Sequence, residues 1–212
     1  MAVHSGHTPW NGSIEVVVGS MFSGKTEELI RRVKRAQLAR QRIQIFKPKI
    51  DDRYSADSIH SHSDQTAKAV IVETAQQILE LVKDTTRVVG IDEGQFFSRD
   101  IVDVATTLAN RGVRVIISGL DTDWKGRPFH PMPELMAVAE TVTKQHAVCM
   151  SCGGVACRTQ RTVKSTDDIL VGALDAYEAR CRQCFDPLFE EQLSFNSKED
   201  SVKSLDRTQL HT

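Results

Sequence analysis

The stretch "SIEVVVGSMFSGKT", residues 13–26, decides the fold expected for this chain. Its first half is short, apolar and rich in β-branched residues, which is typical of a fully buried strand. Its second half, Gly19 to Thr26, fits the pattern G-x-x-x-x-G-K-[ST]. From Lys25 to about Arg40, apolar side chains recur at helical spacing with basic residues outside. A strand, a glycine-rich loop and a helix in this order predict a phosphate-binding loop.

The spacing within this loop has a mechanical reason. Glycines allow the tight backbone path that points successive N–H groups at phosphate oxygens, and the helix N-terminus adds a favourable field for anions. Lys25 is expected to reach the β- and γ-phosphates, and the Thr26 hydroxyl to bind Mg²⁺. A chance glycine-rich turn is the alternative, and the flanking strand and helix argue against it. The predicted nucleotide contacts in the loop are Gly19, Ser20, Met21, Phe22, Ser23, Gly24, Lys25 and Thr26.

Strands alternate with helices from residue 13 to residue 120. The apolar runs "RIQIF", "AKAVIV", "RVVGI" and "VRVIISG" predict four further strands. The helices between them are predicted from "TAQQILELVKD", opened by Thr74, and from "SRDIVDVATTLANRG", capped by Ser98. The next stretch, "LDTDWKGRPFHPMPELM", is predicted to be a loop. This alternation predicts an α/β fold, a parallel sheet of the P-loop NTPase type with helices on both faces.

An acidic pair, Asp92 and Glu93, follows one predicted strand in "RVVGIDEGQFF", residues 87–97. A phosphate-loop fold needs a second carboxylate at a neighbouring strand end to position Mg²⁺, and Asp92 is placed for that role. Its alternative is an ordinary strand-end Asp that caps a turn. Glu93 is expected beside the γ-phosphate, where it could orient water in a hydrolase or accept a hydroxyl proton in a kinase. The pair alone leaves both roles open.

Aromatic residues near the acidic pair and the phosphate loop favour a small flat acceptor over water. Core packing is the alternative interpretation for most of them, and the stronger one for Phe22 and Phe97. The sequence lacks N-K-x-D, the base-recognition element of GTPases, and L-S-G-G-Q, which is typical of transport ATPases. The residues concerned are Met21 and Phe22 in the loop, Phe96 and Phe97 after the pair, and Trp124 and Phe129 after the next strand.

All five cysteines lie in the last third of the chain, and four of them form two C-x-x-C pairs, Cys149/Cys152 and Cys181/Cys184. Four thiolates satisfy a closed tetrahedral Zn²⁺ site, which is structural because no position is left for water. A redox dithiol needs only one such pair, and a DNA-binding zinc ribbon usually carries more basic charge. Cys157 lies outside both pairs and is interpreted as a spare thiol. The loop between the pairs, held at its base, is a natural lid over a substrate.

The chain has 212 residues, a net charge of −1 and no apolar run near the ~18 residues of a membrane span. Near-neutral charge argues against a protein that coats nucleic acid. The first residues lack the features of a signal peptide, so we expect a cytoplasmic protein without a membrane partner. The expected domains are a flexible N-terminal extension (1–13), a nucleotide-binding α/β domain (14–146), a zinc-binding lasso lid over the substrate (147–186) and a largely disordered tail (187–212).

From about Ile14 to Phe185, the chain resembles the type II thymidine kinases. The resemblance rests on "GSMFSGKT", "DEGQFF", "DDRYS" and the two C-x-x-C pairs around a loop. It implies ATP-dependent phosphorylation of the 5′-hydroxyl of thymidine, and also of deoxyuridine, in pyrimidine nucleotide salvage. It further implies Mg²⁺ with ATP, structural Zn²⁺ and a homotetramer, whereas the expectation of no nucleic acid partner comes from the near-neutral charge. The chain departs from the family pattern at Ser20, where many members have Pro, and at "GAL" (172–174), where "GG" is common.

The resemblance also implies roles for individual residues. Glu93 corresponds to the catalytic base of the family, and Asp92 joins Thr26 in supporting Mg²⁺. Asp51 and Arg53 of "DDRYS" correspond to a pair that supports Mg²⁺ and the phosphates. The remaining implied contacts are Asp92, Glu93, Gly94 and Gln95 for ATP; Met21, Phe96, Trp124, Phe129, Thr159 and Tyr177 for the nucleoside; and Cys149, Cys152, Cys181 and Cys184 for zinc.

Two other hypotheses stay open from the sequence. The first is a nucleic-acid-stimulated ATPase whose zinc module binds DNA or RNA, which a salt-sensitive rise of ATP hydrolysis with polynucleotide would indicate. The second is a non-catalytic module whose binding is gated by a nucleotide. The joint presence of Lys25, Thr26, Asp92 and Glu93 argues against this second hypothesis.

Overall fold

In the computed structural model, helices and strands alternate along the described residues, which are 12–49, 58–60, 66–163 and 176–187. The helices are α1 (Lys25–Leu38), α2 (Ala75–Leu81), α3 (Asp100–Asn110) and α4 (Met132–Val138), and a 3₁₀ turn spans Gly94–Phe96. The strands are β1 (Ser13–Gly19), β2 (Ile43–Pro48), β3 (Ser58–His60), β4 (Thr66–Lys68), β5 (Val70–Val72), β6 (Val88–Ile91), β7 (Arg114–Leu120), β8 (Thr141–Lys144), β9 (Ala147–Val148), β10 (Val155–Ala156), β11 (Arg158–Arg161) and β12 (Tyr177–Arg180).

Six of these strands form one sheet in the order β5-β2-β6-β7-β1-β8. β1 lies between β7 and β8, so that Val16 pairs with Ile117 on one side and with Val142 on the other. The pairs β2–β5, β2–β6 and β6–β7 are parallel as well. Parallel neighbours need long crossovers, usually helical, which is why helices separate the strands along the sequence. The predicted α/β fold with a parallel sheet is confirmed.

Helices cover both faces of this sheet, as the sequence predicts. On β1, Val17 packs on the face that α1 covers, whereas Val16 and Val18 pack on the face that α2, α3 and α4 cover. Alternate side chains of a strand point to opposite faces, so a continuous apolar strand serves two cores at once. The side chains that α1 buries recur at helical spacing and are Leu29, Ile30, Val33 and Ala36.

The sheet brings three loops to one edge. The carboxyl ends of parallel strands meet at the same edge, and β6, β7 and β1 are neighbours there. The loops that leave these strands begin at Ser20, Asp92 and Asp121. The phosphate loop, the acidic pair and the loop that carries Trp124 are therefore adjacent in space although they are distant in sequence.

Two predicted element boundaries are wrong. The predicted strand "AKAVIV" is broken at Ala69, which is buried in the core beneath α1, so that β4 pairs with β3 and only β5 joins the main sheet. Ser98 does not cap α3, because Arg99 occupies the N-cap position. The Ser98 carbonyl oxygen accepts a hydrogen bond from the backbone N–H of Ile101 instead, which places Ser98 just before the helix.

Two elements lie where the sequence analysis does not predict them. Helix α4 begins at Met132, inside the stretch predicted as a loop, and Pro133 in its first turn is favourable because that position needs no N–H donor. Strand β8 is short and mostly exposed, and it is ordered by parallel pairing with β1. The predicted helix cap at Thr74 is confirmed, because its side chain accepts a hydrogen bond from the Gln77 amide.

After β8 the chain forms two antiparallel pairs, β9 with β10 and β11 with β12. A small core of Ala147, Cys149, Ala156 and Ala179 lies among them.

The predicted extension (1–13) and tail (187–212) lie outside the described residues, apart from residues 12, 13 and 187, and so does the middle of the predicted lid, 164–175. Within the described ranges, no helix combines the length and apolar character needed to cross a bilayer.

Candidate active site

The loop after β1, which is predicted to bind phosphate, contains two glycines at positions that other residues would strain. Gly24 is the N-cap of α1 and has a φ of 80°, a left-handed conformation that glycine adopts without strain. Gly19 has no room for a side chain, because a Cβ atom there would lie 2.4 Å from the carbonyl oxygen of Gln145. The two glycines fix the loop between a buried strand and the N-terminus of a 14-residue helix, which is a favourable place for an anion.

Lys25 is the buried cation of this loop. Its Nζ donates a hydrogen bond to the carbonyl oxygen of Ser20 at 2.7 Å. Burial lowers the pKa of Lys25, and the negative charge of Glu93, followed by that of Asp92, opposes this shift only in part. A buried ammonium group gains most from a strongly anionic ligand, and a polyphosphate is such a ligand.

Asp92 is buried at the end of β6, next to both the phosphate loop and β7. Its Oδ1 accepts a hydrogen bond from Ser118 Oγ at 2.5 Å, and both carboxylate oxygens lie 3.3 Å from Thr26 Oγ1. Burial, and after it the charge of Glu93, raises the pKa of Asp92. A cation beside Thr26 and Asp92 would offset that cost, and a hydroxyl next to a carboxylate suits Mg²⁺. The residues present therefore fit the predicted magnesium site.

Glu93 has a left-handed backbone, with φ 54° and ψ 44°. This conformation is uncommon for a residue with a side chain and costs on the order of 1–2 kcal/mol, so the surrounding structure must hold it. The next residue, Gly94, packs closely against β7, because an added Cβ would lie 2.8 Å from the side chain of Ile117. Strain of this kind is typical of functional sites.

Gln95 holds the Glu93 side chain. Its Nε2 donates to Glu93 Oε2, and its Oε1 accepts from the backbone N–H of Leu120 at 2.9 Å. Gln95 is buried, with 3% of its surface exposed. Its amide therefore links the Glu93 carboxylate to the end of β7, a role for the Gln95 side chain that differs from the predicted nucleotide contact.

Two residues beside Asp92 and Lys25 were missed by sequence reasoning. Ser118 donates a hydrogen bond to Asp92, and the sequence feature that could have identified it is a lone hydroxyl residue inside the apolar run "VRVIISG". Asp121 is buried at the end of β7, and its Oδ2 lies 2.6 Å from Lys144 Nζ. Its signal was the same as that of Asp92, a carboxylate directly after an apolar strand. The Asp121 charge also acts on Lys25, so it belongs to the same electrostatic site.

The aromatic residues among the predicted nucleoside contacts form two groups. Phe96 and Phe129 meet edge to face, with ring centroids 6.0 Å apart and planes at 83°. Trp124 and Tyr177 share a contact with Arg161, a residue of the loop between the cysteine pairs to which the sequence assigns no role. The central guanidinium carbon of Arg161 lies 4.0 Å from the Trp124 ring centroid and 5.6 Å from that of Tyr177.

The remaining predicted contacts join the phosphate loop to the strands that follow β8. Thr159 Oγ1 accepts a hydrogen bond from the backbone N–H of Met21 at 3.0 Å. Phe22, the next loop residue, packs against the small core around Ala147. Asp51 and Arg53, the predicted supports of Mg²⁺ and phosphate, lie outside the described residues.

The four paired cysteines converge on one point. Their sulfur atoms all lie within 4.8 Å of one another, and the Cys152 and Cys181 sulfurs are 3.7 Å apart. A tetrahedral site with Zn–S bonds of about 2.3 Å has sulfur–sulfur edges of about 3.8 Å, which fits. Burial of the Cys149 thiol raises its pKa, but hydrogen bonds from backbone N–H groups, first that of Cys181, outweigh this effect, so the pKa of Cys149 is lowered. A hydrogen bond with the Cys181 thiol raises the pKa of Cys184. These cysteines could hold a metal such as zinc.

Comparison with known proteins agrees with this geometry. The family model described as "Thymidine kinase" matches residues 12–185. The chain is 61% identical to the thymidine kinase of Bdellovibrio bacteriovorus over 176 residues, which cover 83% of this chain and 86% of that protein. It is 53% identical to the thymidine kinase of a Rhodothermus species over 184 residues, which cover 87% of this chain and 84% of that protein. The matched region contains every described residue of the candidate site.

Proposed function

The chain belongs to the thymidine kinase family, and we propose that it transfers the γ-phosphoryl group of ATP to the 5′-hydroxyl of thymidine and of deoxyuridine. The product is the nucleoside monophosphate, and the reaction serves pyrimidine nucleotide salvage. Family membership supports the second of the two roles that the acidic pair left open, because a kinase activates a substrate hydroxyl and not water. The observation that carries the proposal is the Glu93 carboxylate, fixed by Gln95 within the charge field of Lys25.

The phosphate loop holds ATP in this proposal. Its backbone N–H groups and Lys25 neutralise the β- and γ-phosphates, while Thr26 and Asp92 hold Mg²⁺. Mg²⁺, when bound, supplies further charge neutralisation at the phosphate oxygens. Asp51 and Arg53 are proposed to support the same phosphates. Since the transition state of phosphoryl transfer is loose, this positioning and charge neutralisation supply most of the rate enhancement.

Glu93 is proposed to accept the proton of the 5′-hydroxyl as that oxygen attacks the γ-phosphorus in line. The new phosphorus–oxygen bond forms while the bond to the β-phosphate oxygen breaks, and ADP leaves. A base must hold a fixed position within hydrogen-bond reach of the proton that it removes. The link from Glu93 through Gln95 to the Leu120 amide supports this role, because it restrains the carboxylate from a buried anchor.

The nucleoside is proposed to bind beside Glu93, with the base among aromatic rings. Phe96 follows Glu93 on the 3₁₀ turn and contacts Phe129, so a flat base has an apolar wall close to the proposed catalytic base. Thr159 and Tyr177 bring the lid strands β11 and β12 to the same site. The complete set of proposed nucleoside contacts is Met21, Phe96, Trp124, Phe129, Thr159 and Tyr177.

The remaining features of the proposal concern the whole protein. The cysteine cluster is proposed to bind structural Zn²⁺ at the base of a lasso lid that spans residues 147–186, beside a nucleotide-binding domain of residues 14–146. We propose a homotetramer from the resemblance to type II thymidine kinases. A cytoplasmic protein without nucleic acid or membrane partners is proposed from the near-neutral charge and the lack of a long apolar run. The observation that supports the zinc site most directly is that the four cysteine sulfur atoms lie within 4.8 Å of one another.

The direct test is ATP consumption by the purified protein with Mg²⁺, with and without thymidine, together with chromatography of the nucleotide products. We expect turnover only with the nucleoside, with thymidine monophosphate as the product. A thymidine analogue that lacks the 5′-hydroxyl is the matched control and should give no turnover. Equal ATP hydrolysis without nucleoside would contradict the proposal, and stimulation by polynucleotide would then favour a nucleic-acid-dependent ATPase.

A further inference from the structure

Arg161 is the largest side chain that the described part of the chain buries completely, with 1% of its surface exposed. Its guanidinium carbon lies 4.0 Å from the ring centroid of Trp124 and 5.6 Å from that of Tyr177. Its Nη2 also donates a hydrogen bond to the Tyr177 hydroxyl at 3.1 Å. One buried cation therefore contacts two aromatic rings from distant parts of the sequence.

Burial of this cation needs compensation. A guanidinium group gives up its hydration when it enters the protein interior, which costs free energy unless strong contacts replace the water. Contacts between a cation and an aromatic face become stronger where water is excluded. Guanidinium is planar, so it can stack on an indole ring while it donates to a phenol, which an ammonium group cannot do with the same geometry.

The backbone explains why these three side chains meet. Arg161 and Tyr177 are direct partners in the antiparallel pair of β11 and β12. Thr159 lies two residues before Arg161 and hence on the same face of β11, and its hydroxyl contacts the Met21 amide in the phosphate loop. This face of the two strands therefore lies against the loops at the carboxyl edge of the sheet, where Trp124 is located.

We propose that Arg161 is a positioning residue for the nucleoside site. Its guanidinium fixes the Trp124 and Tyr177 rings relative to each other, and so determines how tightly a flat pyrimidine base is held. The inference rests on the proposed function, in which Trp124 and Tyr177 both belong to the nucleoside site. Arg161 acts through these rings and takes no part in phosphoryl transfer, so its loss weakens nucleoside binding and leaves the ATP site intact.

The test compares the kinetic constants of the wild-type protein with those of Arg161→Gln and Arg161→Lys. Arg161→Gln is expected to raise KM for thymidine on the order of tenfold, while kcat and KM for ATP change by less than about twofold. Arg161→Lys, which keeps the charge but loses the planar stack, should give an intermediate KM for thymidine. Arg158→Gln is the matched control on the same strand and should leave all three constants unchanged.

A double variant tests whether Arg161 acts through Trp124. If it does, the double variant Arg161→Gln with Trp124→Ala should have a KM for thymidine close to that of Trp124→Ala alone. If the two residues act independently, the fold-increases in KM of the single variants should multiply in the double variant. Multiplied effects, an unchanged KM for thymidine or an equal rise in both KM values would overturn the inference. If thermal unfolding shows that Arg161→Gln does not fold, Arg161→Lys decides the question: its KM for thymidine must rise while its KM for ATP stays unchanged.

The wild-type protein separates this inference from the proposed function. If wild-type protein phosphorylates thymidine and the Arg161 variants match it, only the role of Arg161 is overturned. If wild-type protein does not phosphorylate thymidine, the proposed function fails, and the inference that rests on it fails as well.

Discussion

At the scale of single residues, the site depends on a carboxylate held in an unfavourable backbone conformation. Glu93 is left-handed, Gly94 has no space for a side chain, and Gln95 connects the Glu93 carboxylate to the Leu120 amide. The hydrogen bond from Gln95 restricts the carboxylate to fewer positions. Restriction of this kind is useful for a general base, because a small displacement from a reacting hydroxyl costs a large part of the rate.

The first prediction concerns the Glu93 carboxylate itself. Glu93→Gln keeps the size of the side chain and removes its ability to accept a proton, so it should retain ATP and thymidine binding and lower kcat by roughly 10²–10⁴-fold. Steady-state kinetics and equilibrium binding of both substrates measure the two parts of this expectation. Glu80→Gln, an exposed change of the same kind on α2, is the control and should leave kcat unchanged. Unchanged turnover in Glu93→Gln would remove Glu93 from the catalytic role.

The sequence predicted the residues of the site that carry a motif, and missed those that become partners only in space. The letters of "GSMFSGKT" and "DEGQFF" are sufficient to identify Lys25, Thr26 and Asp92, which the structure brings together. Ser118 and Arg161 have no motif. Their importance depends on which strands are neighbours, and the order β6-β7-β1 and the pairing of β11 with β12 are not written in any local stretch.

At the scale of elements, α1 is fastened to the sheet by a network of ion pairs. Arg32 contacts Glu28 at 2.7 Å, Glu15 on β1 at 2.8 Å and the Thr143 hydroxyl on β8 at 2.9 Å. Arg114 on β7 contacts Glu15 at 2.6 Å. The network joins one helix to three neighbouring strands. It therefore fixes the helix whose N-terminus carries the phosphate loop.

This network makes a prediction for the pH dependence of stability. The hydrogen bond from Arg31, opposed by burial and assisted by Arg32, lowers the pKa of Glu28 to about 2. Because the folded pKa lies below the unfolded value of 4.5, the stabilisation is present above pH 4.5 and is lost as pH falls toward 2. Glu28→Gln should therefore lower the free energy of unfolding at pH 7 by on the order of 1 kcal/mol, and the difference from wild type should shrink between pH 5 and pH 2.

Urea unfolding at pH 7, 5, 4 and 3 measures this difference directly. Glu73→Gln is the control, because its ion pair with Lys49 joins two well-exposed side chains and should contribute little at any pH. A difference between wild type and Glu28→Gln that stays constant from pH 7 to pH 3 would contradict the prediction.

Elements with their own periodicity were predictable, and elements defined by their neighbours were not. The apolar period of α1 and the continuous apolar runs of β1, β6 and β7 identify them without any tertiary information. β8 has four residues and is mostly exposed, so only the adjacent β1 makes it a strand. The strand "AKAVIV" breaks for the same reason, because Ala69 is drawn into a core that the local sequence does not reveal.

At the scale of the whole molecule, the cysteine cluster is linked to the phosphate loop by two direct contacts. Phe22 packs against the small core that contains Cys149, and Thr159 accepts a hydrogen bond from the Met21 amide. The cluster itself joins two segments, because Cys149 and Cys152 precede the loop of residues 153–180 and Cys181 and Cys184 follow it. A metal bound there would close this loop and lower the entropy cost of ordering it over the substrate.

The final prediction follows from that closure. Metal analysis of the purified protein should give about one Zn²⁺ per chain, because four thiolates complete one tetrahedral site. Cys181→Ser should lose most of the metal, unfold at a lower temperature and show a raised KM for thymidine, since the strands that carry Thr159 and Tyr177 lose their anchor. Cys157→Ser, the matched control outside the cluster, should keep its zinc and its activity. A metal-free wild-type protein with full activity would exclude zinc from the fold and return the cysteines to the redox interpretation.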